Sequence, residues 1–280
     1  MTRNDRSSDG FPWIYCILTF GISWALWIPC ALSGQDSRST IWIIPSLLGG
    51  FGPSVAGIVM TYRSSDKQAR ADFWRRTFGF GRIGVGGYLF ALLVFPAACA
   101  ASILVESLIT GKTPALPALS NIAANPFLLV QMLVIGVFLG AFSEELGWRG
   151  YALDRLQARW KPLTSALVLG VIWWAWHLPL FFIRGTTQQR WGFGTAYFFL
   201  FFVWVISLSV LMTWLYNTNG RSILVAILAH FVSNFTLGLI LPISAAGFLL
   251  LAIFLAVAAI VVMASGGTKG SLTANQPIRQ

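Results

Sequence analysis

Residues 222–268 read SILVAILAHFVSNFTLGLILPISAAGFLLLAIFLAVAAIVVMASGGT, without one Asp, Glu, Lys or Arg. A helix that crosses a bilayer needs about 20 apolar residues. This stretch is about twice that length and is broken by Leu241-Pro242-Ile243-Ser244, so it reads as two spans, Ile223–Leu241 and Ala245–Met263. Upstream, the uncharged stretches give Trp13–Leu32, Ile41–Tyr62, Val85–Ser107, Pro126–Leu146, Leu163–Ile183 and Phe193–Tyr216. The expected fold is all-α, a polytopic membrane helix bundle of about eight transmembrane helices over residues 13–265. A cytoplasmic segment at 1–12 and a disordered cytoplasmic tail at 266–280 flank it. The apolar core of the first span exceeds that of a signal peptide, and no small-residue cleavage site follows, so it reads as a retained helix.

Composition agrees. The 280 residues are 56% hydrophobic and 10% charged, with a mean hydropathy of +0.73. A soluble domain carries about 25% charged residues. Cys16, Cys30 and Cys99 all fall in spans without CxxC spacing, which excludes a thiolate metal site or a disulfide framework.

Loop charge sets the orientation. Of the 19 Lys and Arg residues, one side holds only Arg38, Lys112, Arg184 and Arg190. The other holds the rest, including Arg63, Arg75, Arg76, Arg82, Arg149, Arg155 and Arg221. The rich side is expected to be cytoplasmic, with both termini inside. The net charge of +10 then reflects topology and attraction to anionic lipid headgroups. Scattered over loops, it is no nucleic-acid patch. The loop 63–82 reads either as a plain basic loop or as an interfacial helix with Phe73 and Trp74 toward lipid. Gly49-Gly50-Phe51-Gly52-Pro53-Ser54 reads as a close-packing interruption of the second span.

Ionisable groups inside a membrane are costly and default to a functional reading. Glu144 and Glu145 lie in Phe142-Ser143-Glu144-Glu145-Leu146-Gly147-Trp148-Arg149, and His177 and His230 are the only histidines. On a helix Glu145 and Arg149 are i,i+4 partners, while Glu144 points about 100° away. One carboxylate is then held by Arg149 and the other faces a cavity. Trp173 lies one turn before His177 and can stack on it. His230 and Asn234 share a face and point to a common partner. Glu144 is ten residues before Asp154 and His230 nine past Arg221, about 13–15 Å deep at the usual helical rise. His177, sixteen past Lys161, falls about 24 Å deep, which requires its helix to begin in the cytosol or to tilt.

These residues resemble a family. EELGWR, from Glu144 to Arg149, matches the EExxxR motif of the CPBP family of intramembrane proteases, which includes the type II CAAX prenyl endopeptidases and bacteriocin-processing proteins. WWAWH stands where the family has FxxxH, with Trp173 for Phe, and HFVSN matches HxxxN. The core of the resemblance spans about 126–241. It implies an intramembrane endopeptidase in which Glu144 activates water, His177 helps hold that water, His230 and Asn234 stabilise the oxyanion, and Glu145, Arg149 and Trp173 support the site. Its substrate would be a membrane-borne peptide, such as a prenylated CAAX terminus or a bacteriocin leader, in a prokaryotic inner membrane. Glu144, His177 and His230 are also a three-ligand set for a catalytic zinc or another divalent metal. The spacing is not HExxH, and the glutamate mechanism without a tight metal site is preferred. A proton-coupled transporter or a non-catalytic self-immunity or scaffold protein stay open as alternatives.

Overall fold

The computed structural model describes residues 11–64 and 66–264. The expected disordered tail and most of the N-terminal segment lie outside the described residues. The chain is a helical bundle with no strand among the described residues, and it is an integral, multi-pass membrane protein. Its main helices are α1 (Trp13–Ser33), α2 (Ile43–Arg63), α3 (Lys67–Phe78), α4 (Val85–Thr110), α5 (Phe127–Arg159), α6 (Pro162–Trp176), α7 (Ala196–Thr218), α8 (Ile223–Ile240) and α9 (Ala245–Ala264). All but α3 and α6 are long and apolar enough to cross a membrane.

The fifth expected span, Leu163–Ile183, is corrected. Its helix stops at Trp176, and a 3₁₀ turn, Leu178–Phe181, follows. Pro179 has no backbone N–H to continue the ladder. The span expected at Pro126–Leu146 is longer than predicted, because α5 continues past the Glu pair to Arg159.

The glycine-rich interruption does pack closely. A 3₁₀ turn at Gly49–Phe51 leads into the second half of α2. At the crossing with α5, a Cβ on Gly57 would lie 2.7 Å from the Gly147 Cα, and one on Gly147 would lie 2.1 Å from the Pro53 carbonyl oxygen. The two backbones touch, and Ser54 Oγ donates across the contact to the Phe142 carbonyl at 3.0 Å. Small residues permit this approach where lipid supplies no hydrophobic drive.

The two ends of the bundle sort as the loop charges do. At the Arg-rich end, Arg76 Nη1 donates to Tyr216 Oη at 2.5 Å and to Asp154 Oδ2 at 3.2 Å. Tyr216 donates in turn to Asp154 Oδ1 at 2.8 Å, and Arg221 also pairs with Asp154. That carboxylate holds the Arg221 guanidinium well above its ordinary pKa. At the Arg-poor end, Ser37 N–H donates to the Arg184 carbonyl at 2.8 Å, and Tyr197 Oη to the Ile243 carbonyl at 2.9 Å.

Within the loop 63–82, Lys67–Phe78 is a helix, and Phe73, expected to face lipid, is turned into the bundle while Trp74 is half-buried. Asp66 caps α3 by accepting from Ala69 N–H at 2.8 Å. Phe73 is buried, and its ring fills the space above Gly150. Arg76 is buried in the cluster just described. The helix is docked on the bundle because its apolar face finds α5 and its arginine finds Asp154.

Candidate active site

The Glu pair sits in an irregular stretch of α5. Ser143–Gly147 is α-helical, flanked by π-helical turns at Gly136–Phe142 and Trp148–Ala152. Such turns hold an extra residue and shift the side-chain register, and they concentrate at functional sites. Ser143 contributes locally. Its hydroxyl donates back to the carbonyls of Leu139 and Gly140 at 3.0 and 2.8 Å, which loosens the preceding backbone ladder.

Glu145 is fully buried and doubly held. Arg149 Nη1 reaches both of its oxygens at 3.0 Å, the i,i+4 pairing the sequence predicts. His230 Nδ1 lies 2.8 Å from Glu145 Oε1. A salt-bridged carboxylate only accepts, so Nδ1 carries the proton and Nε2 is left for other use. His230 and Glu145 are both almost completely buried.

Glu144 takes different partners. Trp173 Nε1–H donates to its Oε2 at 2.6 Å, and Trp148 Nε1–H reaches the same oxygen at 3.3 Å. Its Oε1 has no hydrogen-bond partner among the described residues, and the residue retains 7% exposure. The expected division between a held carboxylate and an open one is therefore present, although the open one is anchored at its second oxygen.

His177 caps the end of α6. Its Nδ1 lies 2.8 Å from the Trp173 carbonyl oxygen, an acceptor, so here too Nδ1 bears the proton and Nε2 a lone pair. The ring packs against Trp176 and Phe201, with centroids at 4.8 and 5.3 Å. Trp173 is the hub of the whole arrangement. Its ring lies 5.1 Å from His230 and 6.2 Å from His177, and the Arg149 guanidinium stands 4.8 Å over it.

The structure thus brings Glu144, Glu145, Arg149, Trp173, His177 and His230 around one indole. Asn234 stands apart from this contact network. It does not share a partner with His230: its Nδ2 lies against Gly140, 3.6 Å from where a Cβ would be, and it has no hydrogen-bond partner among the described residues. Trp173, one turn before His177, reaches Glu144 directly. Sequence reasoning missed Trp148, although its position four residues after Glu144 is the signal that finds it. Among the described residues no three His, Cys, Asp or Glu side chains gather closely enough to hold a metal ion. The trio of Glu144, His177 and His230 is not drawn together as a ligand set, and no step below runs through a metal.

Residues 126–236 match the family described as Type II CAAX prenyl endopeptidase Rce1-like. This segment is similar to that family. The matched segment contains every residue of the site, from Glu144 to Asn234. Over 226 residues the chain is 29% identical to a protein named CAAX prenyl protease 2 from Methanococcus maripaludis, covering 80% of this chain and 82% of the relative. Within this Rce1-like segment lie α5 from its first turn, α6, α7 and most of α8, the helices that carry the site. Outside it, α1 and α2 brace the segment, as where Ser23 Oγ accepts from Trp176 Nε1–H at 2.7 Å.

Proposed function

We propose that this protein is an intramembrane endopeptidase that hydrolyses a peptide bond of a membrane-anchored substrate with water activated by Glu144. The observation that carries this reading is the asymmetry of Glu144: two indole donors tie Oε2, while Oε1 has no hydrogen-bond partner among the described residues.

The chemistry runs as follows. Glu144 Oε1 takes a proton from water while the water oxygen bonds to the scissile carbonyl carbon. His177 Nε2, a lone pair, accepts the water's other hydrogen and fixes its orientation. Charge moves to the carbonyl oxygen, where Asn234 Nδ2–H and the Nε2–H of a doubly protonated His230 donate to it. The carbon–nitrogen bond then breaks, and Glu144 returns its proton to the leaving amine. A positioned base contributes about 10²- to 10⁴-fold, and removal of an oxyanion donor costs about 10²- to 10³-fold. Asn234's amide has no hydrogen-bond partner among the described residues, which leaves it available for this task.

A prenylated C-terminal CAAX peptide is the proposed substrate, on the strength of the family and of the relative's name. The proposed location is a prokaryotic inner membrane, with the site and both termini toward the cytosol. The concentration of Arg and Lys at the Asp154 end supports that orientation.

The test is cleavage of an internally quenched farnesylated CAAX peptide in liposomes. Wild-type protein is expected to cleave it and Glu144→Gln to leave it intact. Equal cleavage by both, or none by the wild type, would remove the reading. Cleavage of an unprenylated peptide at the same rate would remove only the substrate assignment.

A further inference from the structure

The two indole donors on Glu144 have a chemical use. We propose that Trp173, assisted by Trp148, is a positioning residue: its N–H pins Oε2 of Glu144 and so reserves Oε1 for the attacking water. This rests on the peptidase reading above.

The geometry is specific. Both indole nitrogens reach the same oxygen, Trp173 at 2.6 Å and Trp148 at 3.3 Å. An indole N–H donates and cannot accept, so it can hold a carboxylate without competing for the water's proton. Each tryptophan approaches from a different helix. Trp148 is on α5, one turn from Glu144, and Trp173 is on α6. The carboxylate is therefore fixed in rotation as well as in position. Both indoles are buried, at 0% and 2% exposure, so water does not replace them. A charge-assisted hydrogen bond of this kind is among the stronger ones available.

Trp173 also couples two parts of the site. Its side chain holds Glu144 and its backbone carbonyl holds His177 Nδ1. The base and the water-orienting imidazole are thus set by one residue. A phenylalanine at this position would keep a ring against Arg149 and His230 and would keep the carbonyl, but would lose the donor.

The experiment replaces Trp173 by benzothienylalanine, an isostere in which sulfur stands for the N–H, beside Trp173→Phe. Both are assayed in liposomes with the farnesylated CAAX peptide, with thermal midpoints as a folding check. The expected result for the isostere is a fall in kcat of about 10- to 100-fold, as for misplaced reacting groups, with KM within about twofold and the midpoint unchanged. Trp148→Phe should lower kcat less. A second readout needs no turnover: the ¹⁵N-labelled Trp173 indole N–H resonance should lie downfield in the wild type and move upfield in Glu144→Gln. An unchanged kcat in the isostere, or an indole resonance indifferent to Glu144→Gln, overturns the positioning role. Loss confined to KM also overturns it. If Glu144→Gln cleaves like the wild type, the peptidase reading falls and the positioning role with it. If Glu144→Gln is inactive but the isostere is fully active, the positioning role alone falls.

Discussion

His230 Nδ1 stands 2.8 Å from Glu145 Oε1, joining a carboxylate that Arg149 already holds by both oxygens. Nine residues after Glu145 and nine before His230, Asp154 meets Arg221. The two contacts make α5 and α8 a ladder with rungs at the site and at the Arg-rich end.

Breaking the inner rung should cost stability. Glu145→Gln leaves Arg149, fully buried, without its counter-charge. Loss of one partner of a buried pair costs about 3–5 kcal/mol. The expected outcome is a lowered thermal midpoint in detergent and loss of cleavage together. Glu144→Gln should instead lose cleavage with little change in midpoint, because the amide oxygen can still accept from the two indoles.

The outer rung holds α3 in place. Asp154→Asn and Arg76→Met should each release that helix, raising limited proteolysis between Lys67 and Phe78. Tyr216→Phe should do so less, since it removes one hydrogen bond, worth about 1 kcal/mol, and leaves the charges paired.

The contact between α2 and α5 should not tolerate a methyl group. Gly57→Ala would drive Cβ onto the Gly147 backbone at 2.7 Å, so a helix must move. Reduced yield of folded protein and reduced activity are expected. Gly21→Ala is the control: nothing lies within 4 Å of its added Cβ, and it should be neutral or stabilising by up to about 1 kcal/mol.

Asn234→Ala should lower kcat about 10²-fold, by the oxyanion magnitude, without a change in thermal midpoint. Among the described residues its side chain has no hydrogen bond to lose. A fall in midpoint equal to that of Glu145→Gln would assign Asn234 to packing instead.

Much of this was legible in the sequence. Absence of charge marks the spans, because desolvated charge is costly. The spacing of Glu145 and Arg149 fixes their pairing, since the helix imposes it. Counting back from Asp154 and on from Arg221 puts Glu144 and His230 at similar depth, and the pairing of Asp154 with Arg221 makes those two markers a common level. What was not legible depends on contacts between helices. Phe73 looks lipid-facing until Gly150 provides a place for its ring. His230 and Asn234 look aimed at one common partner until Glu145 claims the His230 Nδ1 alone. Trp148 and Trp173 look like packing until both indoles converge on one oxygen. The length of α6 was misread because hydropathy continues through Leu178–Phe182 while the α-helix does not.

That short helix affects the surrounding lipid. Its fifteen residues rise about 22 Å, against a hydrocarbon thickness of about 30 Å. Its outward stripe, Leu163, Leu167 and Val171, ends sooner still. A hydrophobic mismatch of this size is met by thinning the local bilayer or by tilt. The acyl chains beside α6 are therefore expected to be compressed, and the rate of cleavage should depend on the chain length of the host lipid.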